Sequence, residues 1–182
     1  MTAAITRMAA VAILFLAAPR AHAQDAFDYR AADSVALATP AEASSPAVLA
    51  ARLTAGLATD REKARSIYRW MTHNIEYDAD AFFGNRFAIP LQTPQAVLRR
   101  RKAVCEGFSL LYVTLARSAG LEAVEVIGFA KAFSGDVNNP VRRQKHAWNA
   151  VRVDGRWHAL DTSWGAGDIE GRRFVRRFRG FY

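Results

Sequence analysis

One cysteine, Cys105, stands among the 182 residues, and it opens a stretch in which Leu110, Leu111, Leu115 and Ala116 recur at helical spacing before Gly120 ends the run. A thiol at a helix N-terminus meets the positive end of the dipole and unpaired backbone N–H groups. That setting favours thiolate and can hold a developing oxyanion. Such a nucleophile needs a base. His146 and Asp161 flank Asp154-Gly155, a dipeptide that favours a two-residue hairpin turn. Pairing Val153 with Arg156 across that turn sets Trp148 opposite Asp161, and His146, two residues from Trp148, on the same face. The pair are then diagonal neighbours within hydrogen-bond reach. Setting the Cys105 helix end against this hairpin gives a Cys-His-Asp triad: the thiolate attacks a carbonyl, His146 carries the proton, and Asp161 orients the imidazole.

Each of the three has a plainer use alone: Cys105 as a small buried hydrophobe, His146 as an ordinary strand histidine, Asp161 as a turn or capping residue. Their joint arrangement carries the catalytic reading. One cysteine with scattered histidines lacks the paired spacing of a structural zinc site, so no metal and no other cofactor is expected. His158 falls on the opposite side of its strand from Asp161 and His73 on an earlier helix; both are read as structural.

The elements that must position the triad are helices first and strands second. Apolar positions suit a short helix over residues 48–57, weakened by Gly56. Thr59 and Glu62 form a capping box ahead of Ala64, Ile67, Met71 and Ile75, which predicts a helix to about His73. Residues 76–92 have no period and read as a substantial loop, a kind often functional in compact domains. Thr93-Pro94 opens a short helix ending in Arg99-Arg100-Arg101-Lys102. After Gly120 the period changes to strand: residues 122–130, a polar loop over 133–144, a strand over 146–153, and an antiparallel return over 156–161. The expected class is α+β, with the nucleophile helix packed on a C-terminal antiparallel sheet.

Composition sets the frame. A chain 51% hydrophobic and 23% charged is globular and of one-domain length, and a single cysteine excludes an intrachain disulfide. Residues 1–23 read as a secretory signal, with Arg7 at the start, an unbroken apolar run from Met8 to Ala18, and Ala21-His22-Ala23 before the cleavage point. That run falls short of the roughly 20 residues that span a bilayer, so stable membrane insertion is not expected. Without Arg7 and Arg20 the 25 basic residues become 23, against 17 acidic ones. The expectation is an exported, basic domain, periplasmic or secreted, with residues 24–46 as a loosely ordered lead-in and residues 47–182 as the domain. The two basic clusters, Arg99-Arg100-Arg101-Lys102 and the five arginines from Arg172 onward, carry no nucleic-acid module signature, and nucleic acid is not an expected partner. The first reads as a solvated helix end. In the second, Phe174, Phe178 and Phe181 at helical spacing allow a basic amphipathic helix, although an element packed on the domain is favoured.

The residues also resemble a known family. Ala103-Val104-Cys105-Glu106-Gly107-Phe108-Ser109, then His146-Ala147-Trp148-Asn149, then Trp157-His158-Ala159-Leu160-Asp161-Thr162-Ser163-Trp164-Gly165 are similar, in order and spacing, to the three catalytic blocks of the transglutaminase-like superfamily, nearest its kyphoscoliosis-peptidase type. Ile67-Tyr68-Arg69-Trp70 and Ile75-Glu76-Tyr77-Asp78 resemble the preceding helix and loop. The resemblance spans roughly residues 53–167. It implies a papain-like core with Cys105, His146 and Asp161 as catalytic residues and no metal, and by position Gln95, Tyr77 and Trp70 as candidate oxyanion donors. Ala103 stands where the family usually has glycine, and the family usually continues into a further apolar stretch beyond residues 178–182, so a C-terminally truncated form is one expectation. Glu106 follows the cysteine where crosslinking transglutaminases of animal type carry tryptophan, which favours hydrolysis over amine transfer. The expected activity is attack on amide or peptide bonds through an acyl-enzyme, on a protein or peptide substrate such as a cell-envelope peptide. The rivals are an inactive peptide-binding scaffold of the envelope and an interaction protein whose basic tail docks on anionic polymers or lipid.

Overall fold

The computed structural model describes residues 27–84, 88–131 and 143–180. Three helices lead: α1 (Arg30–Ala38), α2 (Pro46–Leu53) and α3 (Asp60–Asn74). Ser45 caps α2 through its side chain, which accepts from the Val48 N–H at 3.3 Å, with Pro46 in the first turn where its missing N–H costs nothing. Thr59 and Glu62 form the reciprocal capping box of α3, at 3.2 and 2.9 Å. A two-residue strand β1 (Glu76–Tyr77), a short helix α4 (Ala79–Phe83), a helical turn at Ile89–Leu91 and α5 (Pro94–Arg100) follow. Strand β2 (Lys102–Ala103) pairs in parallel with β1 and leads straight into α6 (Cys105–Ser118).

The second half is a three-stranded antiparallel sheet of β3 (Ala123–Lys131), β4 (Arg143–Val153) and β5 (Arg156–Leu160) in that order. The tight turn between β4 and β5 places both Asp154 (φ 52°) and Gly155 (φ 74°) in the left-handed region, the combination that matches strand twist in a two-residue hairpin. Val153 pairs with Arg156 and Asn149 with Leu160, the predicted register. Helix α7 (Thr162–Ala166) and a hairpin of β6 (Gly167–Glu170) and β7 (Arg173–Arg176) complete the described chain.

The core lies between α3, α6 and the sheet face that carries Val151, Val153 and Leu160. Ile67, Trp70, Met71, Leu111, Tyr112 and Leu115 are fully buried there, and each leucine-sized side chain removed from water contributes roughly 1.5–3 kcal/mol. Leu121 N–H bonds back to the Ala116 carbonyl at 2.9 Å while Gly120 takes φ 82°, which ends α6 and turns the chain into β3.

Three expectations are corrected, and of the two readings of the tail one is decided. The lead-in over 24–46 contains α1, which holds because Ala32 and Ala36 bury against the domain and Asp33 accepts two hydrogen bonds from the nearly buried Arg65, at 2.6 and 2.8 Å. Two small apolar residues are a weak local signal; docking supplies the rest. The loop over 76–92 holds β1 and α4, because β2 offers Glu76 and Tyr77 backbone partners. Strand β4 begins at Arg143, three residues early, pairing with Lys131 of β3. The arginine-rich tail forms no amphipathic helix: Phe174 lies on β7, where Gly171 (φ 63°) makes the turn that folds it onto β6. Its favoured alternative, packing on the domain, holds, since the Arg65 and Arg69 guanidiniums lie over the Phe178 ring and the Tyr68 hydroxyl donates to the Arg179 and Gly180 carbonyls. The signal segment 1–23 and Phe181 lie outside the described residues.

Helix α7 approaches α3 at Gly165, where an added Cβ would sit 2.0 Å from the Tyr68 hydroxyl. Tyr68 is fully buried and bonded, so its ring has nowhere to go. Gly165→Ala is expected to cost about 2 kcal/mol or more by overpacking, read as a lower urea midpoint; an unchanged midpoint would show that the α3–α7 contact has room for a methyl group.

Candidate active site

Cys105 is the first residue of α6, with the extended Val104 as N-cap. Two contacts fix the chain just before it. The Val104 N–H donates to the Gln92 side-chain oxygen at 3.1 Å, and the Asp78 N–H donates to the Ala103 carbonyl at 2.8 Å. Ala103 is fully buried and, unlike Arg101 and Asp154, has no positive φ, so alanine stands in this position without backbone strain. Gly107 is required by space: a Cβ there would lie 2.5 Å from Gln92 Oε1 and 2.7 Å from the Ala103 methyl.

β1 brings Tyr77 alongside β2, opposite Ala103. Its hydroxyl lies against both the thiol and the backbone N–H of Cys105. Burial first, then the neighbouring Cys105, push its pKa far up, so the hydroxyl keeps its proton and remains a donor at every working pH. Of the three candidate oxyanion donors, only Tyr77 is shown at the thiol. Trp70 is in the core, donating to the Thr39 carbonyl at 3.2 Å, and Gln95 reaches the Ser44 carbonyl on the outer surface at 3.4 Å.

On the other side of Cys105 stands His146 of β4. Its Nε2 lies 2.5 Å from Asp161 Oδ2, leaving Nδ1 for the thiol, with which the ring also interacts. Asp161 leaves the end of β5 to become the N-cap of α7, and its Oδ1 accepts from the Ser163 N–H, the Ser163 hydroxyl and the Trp164 N–H at 2.7–2.9 Å. One carboxylate oxygen is thus held by α7 and the other serves the imidazole. Burial alone would lower the His146 pKa, but the hydrogen bond and charge of Asp161, joined by Cys105, outweigh it and raise it to about 9. The ring is held between two indoles, Trp164 at 4.8 Å and nearly parallel, and Trp148 at 6.0 Å.

The structure brings together Cys105, His146 and Asp161 and leaves His158 and His73 apart: His158 lies on the core side of β5 opposite Val151, and His73 is exposed on α3. Four residues with a bearing on the site went unassigned. Gln92 has no local signal, since its role depends on a turn that folds back onto Val104. Ser109 and Asn149 form a buried bridge between α6 and β4, the Asn149 amide donating to the Ser109 carbonyl and hydroxyl at 3.1 and 2.9 Å while that hydroxyl donates to the Trp148 carbonyl at 2.9 Å. Trp164 was visible three residues after Asp161, but its stacking was not. Arg99-Arg100-Arg101-Lys102 is more than a solvated helix end: Arg100 pairs with the buried Asp78 at 3.0 Å and Lys102 with Asp80 at 3.3 Å. Among the described residues, no three His, Cys, Asp or Glu side chains gather as a metal site, and no helix is long and apolar enough to cross a membrane.

Because the His146 pKa in the fold lies above the ~6.5 of an unfolded chain, its pairing stabilises fully below that value and the contribution fades as pH rises through about 9. Asp161→Asn keeps an oxygen for the α7 N–H groups and removes the charge. Its urea midpoint is expected well below that of the wild type near pH 6 and close to it near pH 10; a gap of equal size at both would refute the charged pair.

Residues 47–162 match the family model of the transglutaminase-like superfamily core. The chain is 36% identical over 128 residues to mouse kyphoscoliosis peptidase and 37% identical over 128 residues to the human one, each match covering 68% of this chain and 19% of the relative. It is also 32% identical over 124 residues to hillarin of Drosophila melanogaster, covering 65% of this chain and 14% of that one. The chain thus spans about a fifth of the length of the kyphoscoliosis peptidases it matches. In shape it is similar to a Cytophaga hutchinsonii protein described as a candidate cysteine protease, with a TM-score of 0.50 and 19% identity over 74% of this chain and 38% of that one, a likeness of fold. With the family model covering well over half of its length, the chain belongs to the transglutaminase-like superfamily.

Proposed function

We propose that this chain is a thiol enzyme acting on amide bonds of a protein or peptide through an acyl-enzyme. The observation that carries the proposal is the His146 Nε2 to Asp161 Oδ2 hydrogen bond of 2.5 Å on a ring whose other edge interacts with the only thiol in the chain. In this reading the Cys105 thiolate attacks the amide carbonyl carbon and a C–S bond forms. The oxyanion settles between the Cys105 N–H and the Tyr77 hydroxyl, donors whose alignment before the reaction is what makes them effective. The His146 imidazolium gives its proton to the departing nitrogen as the C–N bond breaks. A water then loses its proton to His146 and attacks the thioester, releasing the acid and the thiolate. Glu106 beside the nucleophile favours water over an amine as the second reactant. The apolar run and small-residue cleavage pattern of residues 1–23 support export, so the substrate is sought among peptides of the cell envelope.

The test is the rate of Cys105 alkylation by iodoacetamide between about pH 4 and 9. The rate near pH 6 is expected to stay within about tenfold of its value near pH 8.5, and His146→Ala is expected to remove that advantage. An ordinary thiol profile in the wild type would sink the proposal. Tyr77→Phe should leave alkylation within a few-fold but slow nitrophenol release from p-nitrophenyl acetate by about 10²-fold; equal rates would show that the hydroxyl takes no part.

A further inference from the structure

A cavity of about 550 Å³ flanks the imidazole on the sheet face that carries His146 and Trp148. Trp148 and Trp164 line it together with Phe129, Ala159 and Leu160, while His146 and Asp161 supply its ionisable groups. Neither is free to receive a charged ligand: Asp161 spends one oxygen on His146 and the other on the start of α7. Among the described lining residues no free counter-charge would replace the hydration a charged side chain loses on entering, whereas an apolar one gains from leaving water. The volume falls within the range of pockets that take a small organic group, ample for one aromatic side chain.

Position relative to the proton route decides which part of a substrate this is. The oxyanion donors, Tyr77 and the Cys105 N–H, lie together at the thiol; His146 interacts with that thiol too and must reach the nitrogen that leaves. The leaving amine therefore lies at the Nδ1 edge of the imidazole, and its side chain extends into the space flanking the ring. We propose that this cavity selects the residue on the released side of the scissile bond, and that it takes a large apolar, above all aromatic, side chain. The inference rests on the acyl-enzyme reading given above and adds the substrate class. By microscopic reversibility the same cavity also selects the amine that attacks the thioester, whatever the natural second reactant.

That reversibility supplies the experiment. p-Nitrophenyl acetate acylates the purified chain: the ester C–O bond breaks, nitrophenolate leaves and a Cys105 thioester forms. The thioester is then offered phenylalanine amide, leucine amide, serine amide, aspartate amide or arginine amide. In capture, the amine nitrogen attacks the thioester carbonyl, its proton passes to His146, the C–S bond breaks, and the N-acetyl product is counted by mass spectrometry against acetate. Phenylalanine and leucine amides are expected to be captured at least about tenfold better than serine, aspartate or arginine amides, the scale of discrimination an apolar pocket gives. Ala159→Glu, on an exposed position of β5, should reduce the phenylalanine preference and raise arginine amide capture. Ala130→Asn, on the His146 side of β3 by register and in the lining of the cavity, should reduce the phenylalanine preference alone. A nitrophenol burst with equal capture of all five amines overturns the inference while leaving the acyl-enzyme intact. So does an apolar preference that neither variant moves, since the selecting surface would then lie elsewhere. No burst in the wild type overturns the acyl-enzyme reading itself, and the inference with it.

Discussion

The imidazole of His146 keeps its orientation and its proton only while Asp161 holds it, and Asp161 can do so only because its own geometry is settled elsewhere. A carboxylate on a free loop would rotate and take water. Here one oxygen accepts three hydrogen bonds from the first turn of α7, so the other is left aimed at Nε2. The β4–β5 register then decides whether a ring is there to meet it. Sliding that pairing by one residue would turn His146 to the opposite face, so the two-residue turn at Asp154-Gly155, eight residues after His146 and six before Asp161, governs their pairing as firmly as the charges do.

Cys105 is held by a second, independent set of contacts. Parallel pairing of β1 with β2, the Gln92 bond to Val104, and the close packing of Gly107 against Gln92 and Ala103 fix where α6 begins. The two sets meet in the buried Ser109–Asn149 bridge, one helical turn past Cys105 and three residues past His146. Buried polar groups of this kind are costly unless paired. The Asn149 amide N–H groups and the Ser109 oxygens, paired across the α6–β4 interface, favour one relative placement of helix and strand where an apolar contact would tolerate several.

Around the polar centre the enclosure is aromatic. Trp164 and Trp148 hold the His146 ring, and Tyr77 stacks on Phe108 while presenting its hydroxyl to the thiol. Such walls limit water at the charged pair, which strengthens each electrostatic interaction inside. They also explain why the raised pKa of His146 survives its burial: the desolvation cost is met by a fixed carboxylate rather than by solvent. The match to the transglutaminase-like family model, over residues 47–162, takes in Tyr77, Cys105, Phe108, His146, Trp148 and Asp161.

Much of this was legible in the chain itself. The Asp154-Gly155 turn set a register, the register put His146 beside Asp161, and helical spacing after Cys105 put the thiol at a helix start; these are local rules, carried by residues near one another in sequence. The capping box at Thr59 and Glu62 belongs with them. What the chain could not disclose are the contacts whose partners lie far apart. Tyr77 became the hydroxyl at the thiol, rather than Gln95 or Trp70, only when β1 docked on β2. Helix α1 exists because Asp33 finds Arg65 and two alanines find a wall to bury against, and Arg173–Arg176 form a strand because β6 is there to pair with it. Local patterning selects each element, but a backbone with two permitted conformations takes the one whose hydrogen bonds and buried surface a distant partner completes, and that choice belongs to the tertiary structure.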